Sequence, residues 1–192
     1  MNKTNNRDQI LIVALKLFAA QGYASVGVQE IVNAAGVSKP TLYHYFGNKQ
    51  GLLAAVLAQG FEPALARLAA ASVYQGDLVR SLTGLFSAWF ELVAADPDWV
   101  ALQLALGSMP RHQEIQQVAE PWLERLHMLL EGLFEAAVPQ HGNLRGHQAL
   151  LATALLGLLN QYALGLLAGR IQRSDDLVYK AVKQYMYGIY VL

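Results

Sequence analysis

Lys39, Pro40, Thr41, Tyr43 and His44 stand within six consecutive positions, interleaved with Leu42 and followed by Phe46. The side chains offer cations, hydroxyls and an imidazole, which are groups that hold rather than groups that break bonds. Lys39 can donate to guanine N7 or O6, and a neutral His44 donates from one ring nitrogen while accepting at the other. Leu42 and Phe46 lie one helical turn apart and can face a core, which leaves the other five on the remaining surface of a short helix. No acidic residue intervenes between Glu30 and Glu62. A polar, cationic and aromatic helix of this kind suits a major groove, where base edges and phosphates are reached together. The same spacing also fits a plain corner between two helices with an exposed face and no ligand.

The elements that must position these residues are legible from periodicity. Ile10, Val13, Ala14, Leu17 and Phe18 recur at helical spacing, and Gly22 ends that run. Val28, Ile31, Val32 and Ala35 repeat the period for two turns, with Gly27 as cap and Gly36 at the left-handed position after the helix. Ser38 or Lys39 caps the next helix, whose first turn accommodates Pro40. Two short helices joined by Ala35-Gly36-Val37 make a helix-turn-helix, which the run from Ile10 completes as a three-helix unit. Asn48 then caps a long helix that Pro63 should kink or end. Helical runs at about 78–95, 98–108, 113–137, 146–169 and 175–190 follow, and no run alternates with period two. The fold class expected is all-α.

The stretch Gly22-Tyr23, Ile31, Ala34-Ala35-Gly36-Val37-Ser38-Lys39-Pro40-Thr41-Leu42-Tyr43-His44-Tyr45-Phe46 and Lys49 resembles the DNA-binding domain of the TetR (tetracycline repressor) family of bacterial transcriptional regulators. The likeness covers about residues 8–57. It implies a homodimer that binds a palindromic operator in double-stranded DNA, usually as a repressor, and lets go when a small molecule enters the C-terminal domain. It implies a DNA-binding domain over residues 1–50 and an effector-binding and dimerisation domain over 51–192. Thr41 and Tyr43 match a groove-facing hydroxyl and a phosphate-touching phenol, Lys49 matches a phosphate-gripping lysine, and Gln29 matches a position that reaches the groove. One departure stands out. Val26-Gly27-Val28 occupies the place of the usual Thr or Ser, so backbone N–H groups would have to hold any phosphate there. Tyr45 fits core or DNA backbone equally.

Charge agrees with a divided chain. Residues 1–50 hold five basic and two acidic side chains, and residues 51–192 hold nine and twelve, although the whole is neutral. Hydrophobic residues make up 54% and charged residues 15%, which excludes disorder. From Ala149 to Gly169 no residue is charged. That length could span a membrane, but Asn160, Gln161 and Tyr162 sit in its middle and no aromatic flanks it. Burial against a partner subunit explains it better, with Ala154, Gly157 and Gly165 allowing close approach and Leu177, Ala181, Gln184 and Tyr185 lining the final helix. Large apolar residues precede it: Phe86, Trp89, Phe90, Trp99, Leu102, Leu106, Met109, Trp122 and Met128. All but Met128, with His127, Gln161 and Tyr162 as polar groups, are the candidate pocket for an apolar or aromatic effector.

Enzyme chemistry finds little support. Glu124 and His127 form one Glu-x-x-His element, but the second that a di-iron bundle needs is absent. No phosphate-binding loop, nucleophile elbow or His-Glu-x-x-His helix occurs, and His141 and His147 flank a Gly-rich turn as surface residues. Zero cysteines excludes thiolate chemistry. No cofactor and no metal are expected. The polar start, Met1 to Arg7, and Lys16 within the first apolar run argue against a secretory signal, which leaves the cytoplasm as the default. The competing reading is a helical small-molecule or metal-binding protein without a DNA role, which would show no salt-dependent binding of duplex DNA.

Overall fold

The computed structural model describes residues 5–108 and 113–188. Among these there are nine α-helices and no strand: α1 (Asn6–Gln21), α2 (Val28–Ala35), α3 (Lys39–Phe46), α4 (Lys49–Ala71), α5 (Leu78–Ala95), α6 (Pro97–Ser108), α7 (Gln113–Ala137), α8 (Gln148–Leu167) and α9 (Asp175–Tyr187), with a 3-10 turn at Gly142–Leu144. Packing divides the chain into two compact units, one of residues 1–62 and 98–123, the other of 63–97 and 124–192. This partition differs from the boundary expected after residue 50, because α6 and the first part of α7 pack with the N-terminal helices.

In the first unit, Ile10, Leu11, Ala14 and Phe18 of α1 meet Ile31 and Val32 of α2, Leu42 of α3 and Leu52, Leu53, Val56 and Leu57 of α4 in a core that excludes water. The helix ends are set locally. Asn5 Oδ1 accepts from the Asp8 N–H, and Ser38 Oγ accepts from the Thr41 N–H, which settles Ser38 as the α3 cap. Gly36 has φ +65° and its N–H reaches the Val32 and Asn33 carbonyls, so α2 stops where only glycine turns at no cost. Glu30 does not reach back to cap α2. It accepts from Gln21 Nε2 at 2.7 Å and ties α2 to α1.

In the first unit two glycines let helices approach closely. A Cβ on Gly51 would lie 2.1 Å from the Phe46 carbonyl oxygen, so α4 starts hard against the end of α3. A Cβ on Gly60 would overlap the Trp99 indole. Trp99 meets Phe61 edge to face, and Phe61 stacks on Trp122. Pro63 does not end α4. The helix continues to Ala71, although Pro63 has no N–H to give the Gln59 carbonyl, and the boundary between the two units falls at that residue.

The second unit is built on α5, whose Leu82, Leu85, Phe86, Trp89 and Phe90 are buried. Trp89 Nε1 donates to the Leu159 carbonyl at 3.0 Å, and Phe86, Phe90 and Tyr162 meet edge to face. Tyr185 of α9 donates to the Leu151 carbonyl at 2.8 Å, and burial pushes its phenol far above the usual range.

Candidate nucleic-acid interface

The α3 surface is assembled as its spacing requires. Leu42 is fully buried and Phe46 half-buried, while Lys39, Pro40, Tyr43 and His44 are exposed and Thr41 is half-exposed. Tyr45 is exposed too, edge to face with His44. It is not core. Ser38 Oγ and Thr41 Oγ1 stand 2.8 Å apart, so one hydroxyl donates to the other at the start of the helix. Gln29 is exposed on α2 and donates to Asn33 Oδ1 at 2.8 Å, and Gly27 leaves the α2 N-terminus without a side-chain cap.

Lys49 is placed differently from the expectation of a free phosphate grip. Its ammonium donates to the Tyr23 carbonyl and lies 4.2 Å from the centroid of the Tyr23 ring. Partial burial lowers its pKa, and Glu114 opposes that shift. Burial and the same carboxylate raise the Tyr23 phenol. Beside it, Gln50 donates to the Glu114 carbonyl, which joins the first turns of α4 and α7. The cation thus already has an internal reason to stand at a helix N-terminus. Sequence could not reveal this, because Tyr23 and Glu114 are far from Lys49 along the chain.

The pocket candidates are distributed over both units. Trp99, Leu102, Leu106 and Trp122 belong to the first unit, and Phe86, Trp89, Phe90, His127, Gln161 and Tyr162 to the second. Met109 lies outside the described residues. Gln161 and Tyr162 line an open cleft of about 280 Å³ with Leu158, Gly165, Arg170, Ile171 and Gln184. His127 is no pocket group there: its Nε2 lies 3.0 Å from Thr153 Oγ1 and its Nδ1 3.9 Å from Glu131. Met128 is 61% exposed, not part of an apolar cluster.

The candidate interface residues also separate. Ala154 and Gly157 are exposed on α8, with open space over Gly157. Gly165 is buried under Ile171 of its own chain, and Ala181 has no exposed surface, so neither can meet a partner. Leu177 is half-buried, Gln184 accepts from the Tyr162 hydroxyl at 3.2 Å, and Tyr185 is held by Leu151. The exposed stripe of α8 is instead Leu150, Ala154, Gly157, Gln161 and Leu164, continued by the cap residue Ala168, at alternating steps of four and three. Such steps follow one face of a helix. Tyr179 and Tyr187 are the exposed aromatics of α9. By length and composition alone α4, α5 and α8 are each apolar enough to cross a membrane.

The profile of bacterial regulatory proteins of the tetR family matches residues 10–56. The chain is 33% identical over 112 residues to the uncharacterized HTH-type transcriptional regulator YuxN of Bacillus subtilis, covering 58% of this chain and 38% of that one. It is 33% identical over 94 residues to the HTH-type transcriptional activator FasR of Mycolicibacterium smegmatis, covering 49% of this chain and 43% of that one. The chain therefore spans about two fifths of these relatives' length. The fold is that of the transcriptional regulator FadR from Bacillus subtilis in complex with stearoyl-CoA, with a TM-score of 0.78, 22% identity and coverage of 95% and 98% of the two chains.

Proposed function

We propose that this chain, whose residues 10–56 match the tetR family of bacterial regulatory proteins, is a ligand-responsive repressor of that family: a homodimer on a palindromic operator, released by a small apolar effector. Its relatives are transcriptional regulators rather than enzymes. The observation that carries the reading is the exposed face of α3, where Lys39, Pro40, Tyr43 and His44 stand clear of the core with no carboxylate on the helix. Lys39 and His44 read bases, Thr41 and Tyr43 bond to backbone or groove, and Gln29 reaches in from α2. Lys49 keeps further N–H groups beyond the one given to Tyr23, and these reach a phosphate. Residues 1–50 carry the DNA contacts and 51–192 the effector and the dimer, in the cytoplasm.

The dimer forms on the uncharged α8 stripe and the exposed tyrosines of α9, since a contiguous apolar face of this kind asks for cover. For the effector, the aromatic set Phe86, Trp89, Phe90 and Tyr162 supports an apolar chain or ring, and the fold neighbour crystallised with stearoyl-CoA suggests a first probe. Selection of duplexes from a randomised pool tests the DNA reading: the retained sequences should contain two inverted half-sites, and binding should weaken steeply with salt. Failure to enrich any sequence would overturn it. A reporter behind the selected site should rise when the protein is removed. A fall would make it an activator, as FasR is.

A further inference from the structure

We propose that Arg7 is a phosphate contact of the bound duplex, so that Lys39 and Arg7 bracket the recognition helix with one cation at each end. The proposal rests on the reading of α3 as the helix that enters the groove. Phe46 is the last residue of α3, and the guanidinium carbon of Arg7 lies 5.8 Å from the centroid of its ring. Lys39 is the first residue of the same helix. Eight residues at 1.5 Å each make α3 about 12 Å long, which is about the width of a major groove. With Lys39 at the base edges by the N-terminal end, a cation carried at the far end of such a helix falls near a phosphate strand that borders the groove.

The disposition of the other head cations favours Arg7. Lys49 is engaged with the carbonyl and ring of Tyr23, and Lys16 is exposed in the middle of α1. Arg7 itself stands in the first turn of α1, where the helix dipole disfavours a cation. Its ion pair with Asp8 is 3.9 Å long and about half exposed on both sides, too loose to account for it. The Phe46 face orients the guanidinium without neutralising it, and its planar fork remains free to grip a phosphate with two N–H groups.

The test measures the salt dependence of affinity for a duplex selected by the wild-type protein. Arg7→Ala should lower the slope of log affinity against log salt by about 0.9 for each bound subunit, and Arg7→Lys should restore it. Lys16→Ala should leave the slope unchanged. If Arg7→Ala does not fold, Arg7→Gln, which keeps its aliphatic stem on Phe46, decides by the same criterion. An unchanged slope overturns the proposal, and so does an equal fall in Lys16→Ala, because the effect would then be diffuse charge. A wild-type chain that retains no duplex would instead remove the reading of α3 on which the proposal stands.

Discussion

Adding one methyl group at Gly60 should destabilise the first unit. A Cβ there would lie 1.9 Å from Trp99 Cδ1 and 2.0 Å from Nε1, where ordinary contact begins near 3.4 Å. Trp99 is 2% exposed and wedged against Phe61, so the indole cannot swing into solvent. Overpacking of this kind costs about 1–3 kcal/mol, and disturbing the ring contact adds about 0.5–1.5 kcal/mol. The better helix propensity of alanine returns about 1 kcal/mol. The net expectation is a loss of about 1–3 kcal/mol, read by urea unfolding at a fixed protein concentration. Gly132→Ala, on α7 with nothing within 4 Å of the new methyl, is the matched control and should gain up to about 1 kcal/mol. In a Trp99→Leu background the sign at Gly60 should reverse, because the obstructing ring is gone. A Gly60→Ala protein as stable as wild type would refute the reasoning.

Other substitutions test the head, the dimer and their coupling. Tyr43→Ala should leave helicity intact and weaken duplex binding, and His44→Ala should change the bases selected more than the overall affinity. Lys49→Ala should lower stability by about 1–2 kcal/mol in urea, since it strips the Tyr23 carbonyl of its donor; unchanged stability would mean the ammonium is free in solution. Leu164→Arg, on the exposed α8 stripe, should convert a sedimenting dimer of the 21.0 kDa chain into a monomer. For the effector, a ligand that raises the melting temperature should weaken operator binding by about 1–3 kcal/mol, and the operator should weaken ligand binding equally. Pro63→Ala should alter that coupling while sparing DNA affinity without ligand; no change in coupling would dismiss α4 as the lever.

What sequence reveals here is governed by the range of the interaction. Gly22, Gly36 and Ser38 mark helix ends through bonds to residues at most five positions away, and each ends or starts its helix where local chemistry places it. Pro63 is also a local signal, yet tertiary packing on both sides carries α4 through it. The phase of α8 was hidden for a different reason. A helix apolar on every side has no preferred face by periodicity, so Gly165 and Leu164 read alike although Ile171 buries the first and leaves the second open. The partners of Lys49 lie at long range, and no spacing rule reaches them.

The hydroxyl pair at the start of α3 sets a proton count. Ser38 and Thr41 own two hydroxyl hydrogens between them, and the 2.8 Å contact consumes one. The other is left to point outward, from whichever oxygen is not donating inward. The pair therefore presents a single donor that can be delivered from either of two positions by rotating both hydroxyls together. On the proposed reading of α3, that donor can meet an acceptor at either position without moving the backbone. Ser38→Ala removes the α3 cap, yet it frees the Thr41 hydrogen permanently, whereas Thr41→Val keeps the cap and hands the remaining hydrogen to Ser38. Each variant thus fixes the one donor in a single place, Ser38→Ala on Thr41 and Thr41→Val on Ser38, and only Ser38→Ala should also lose stability of the head.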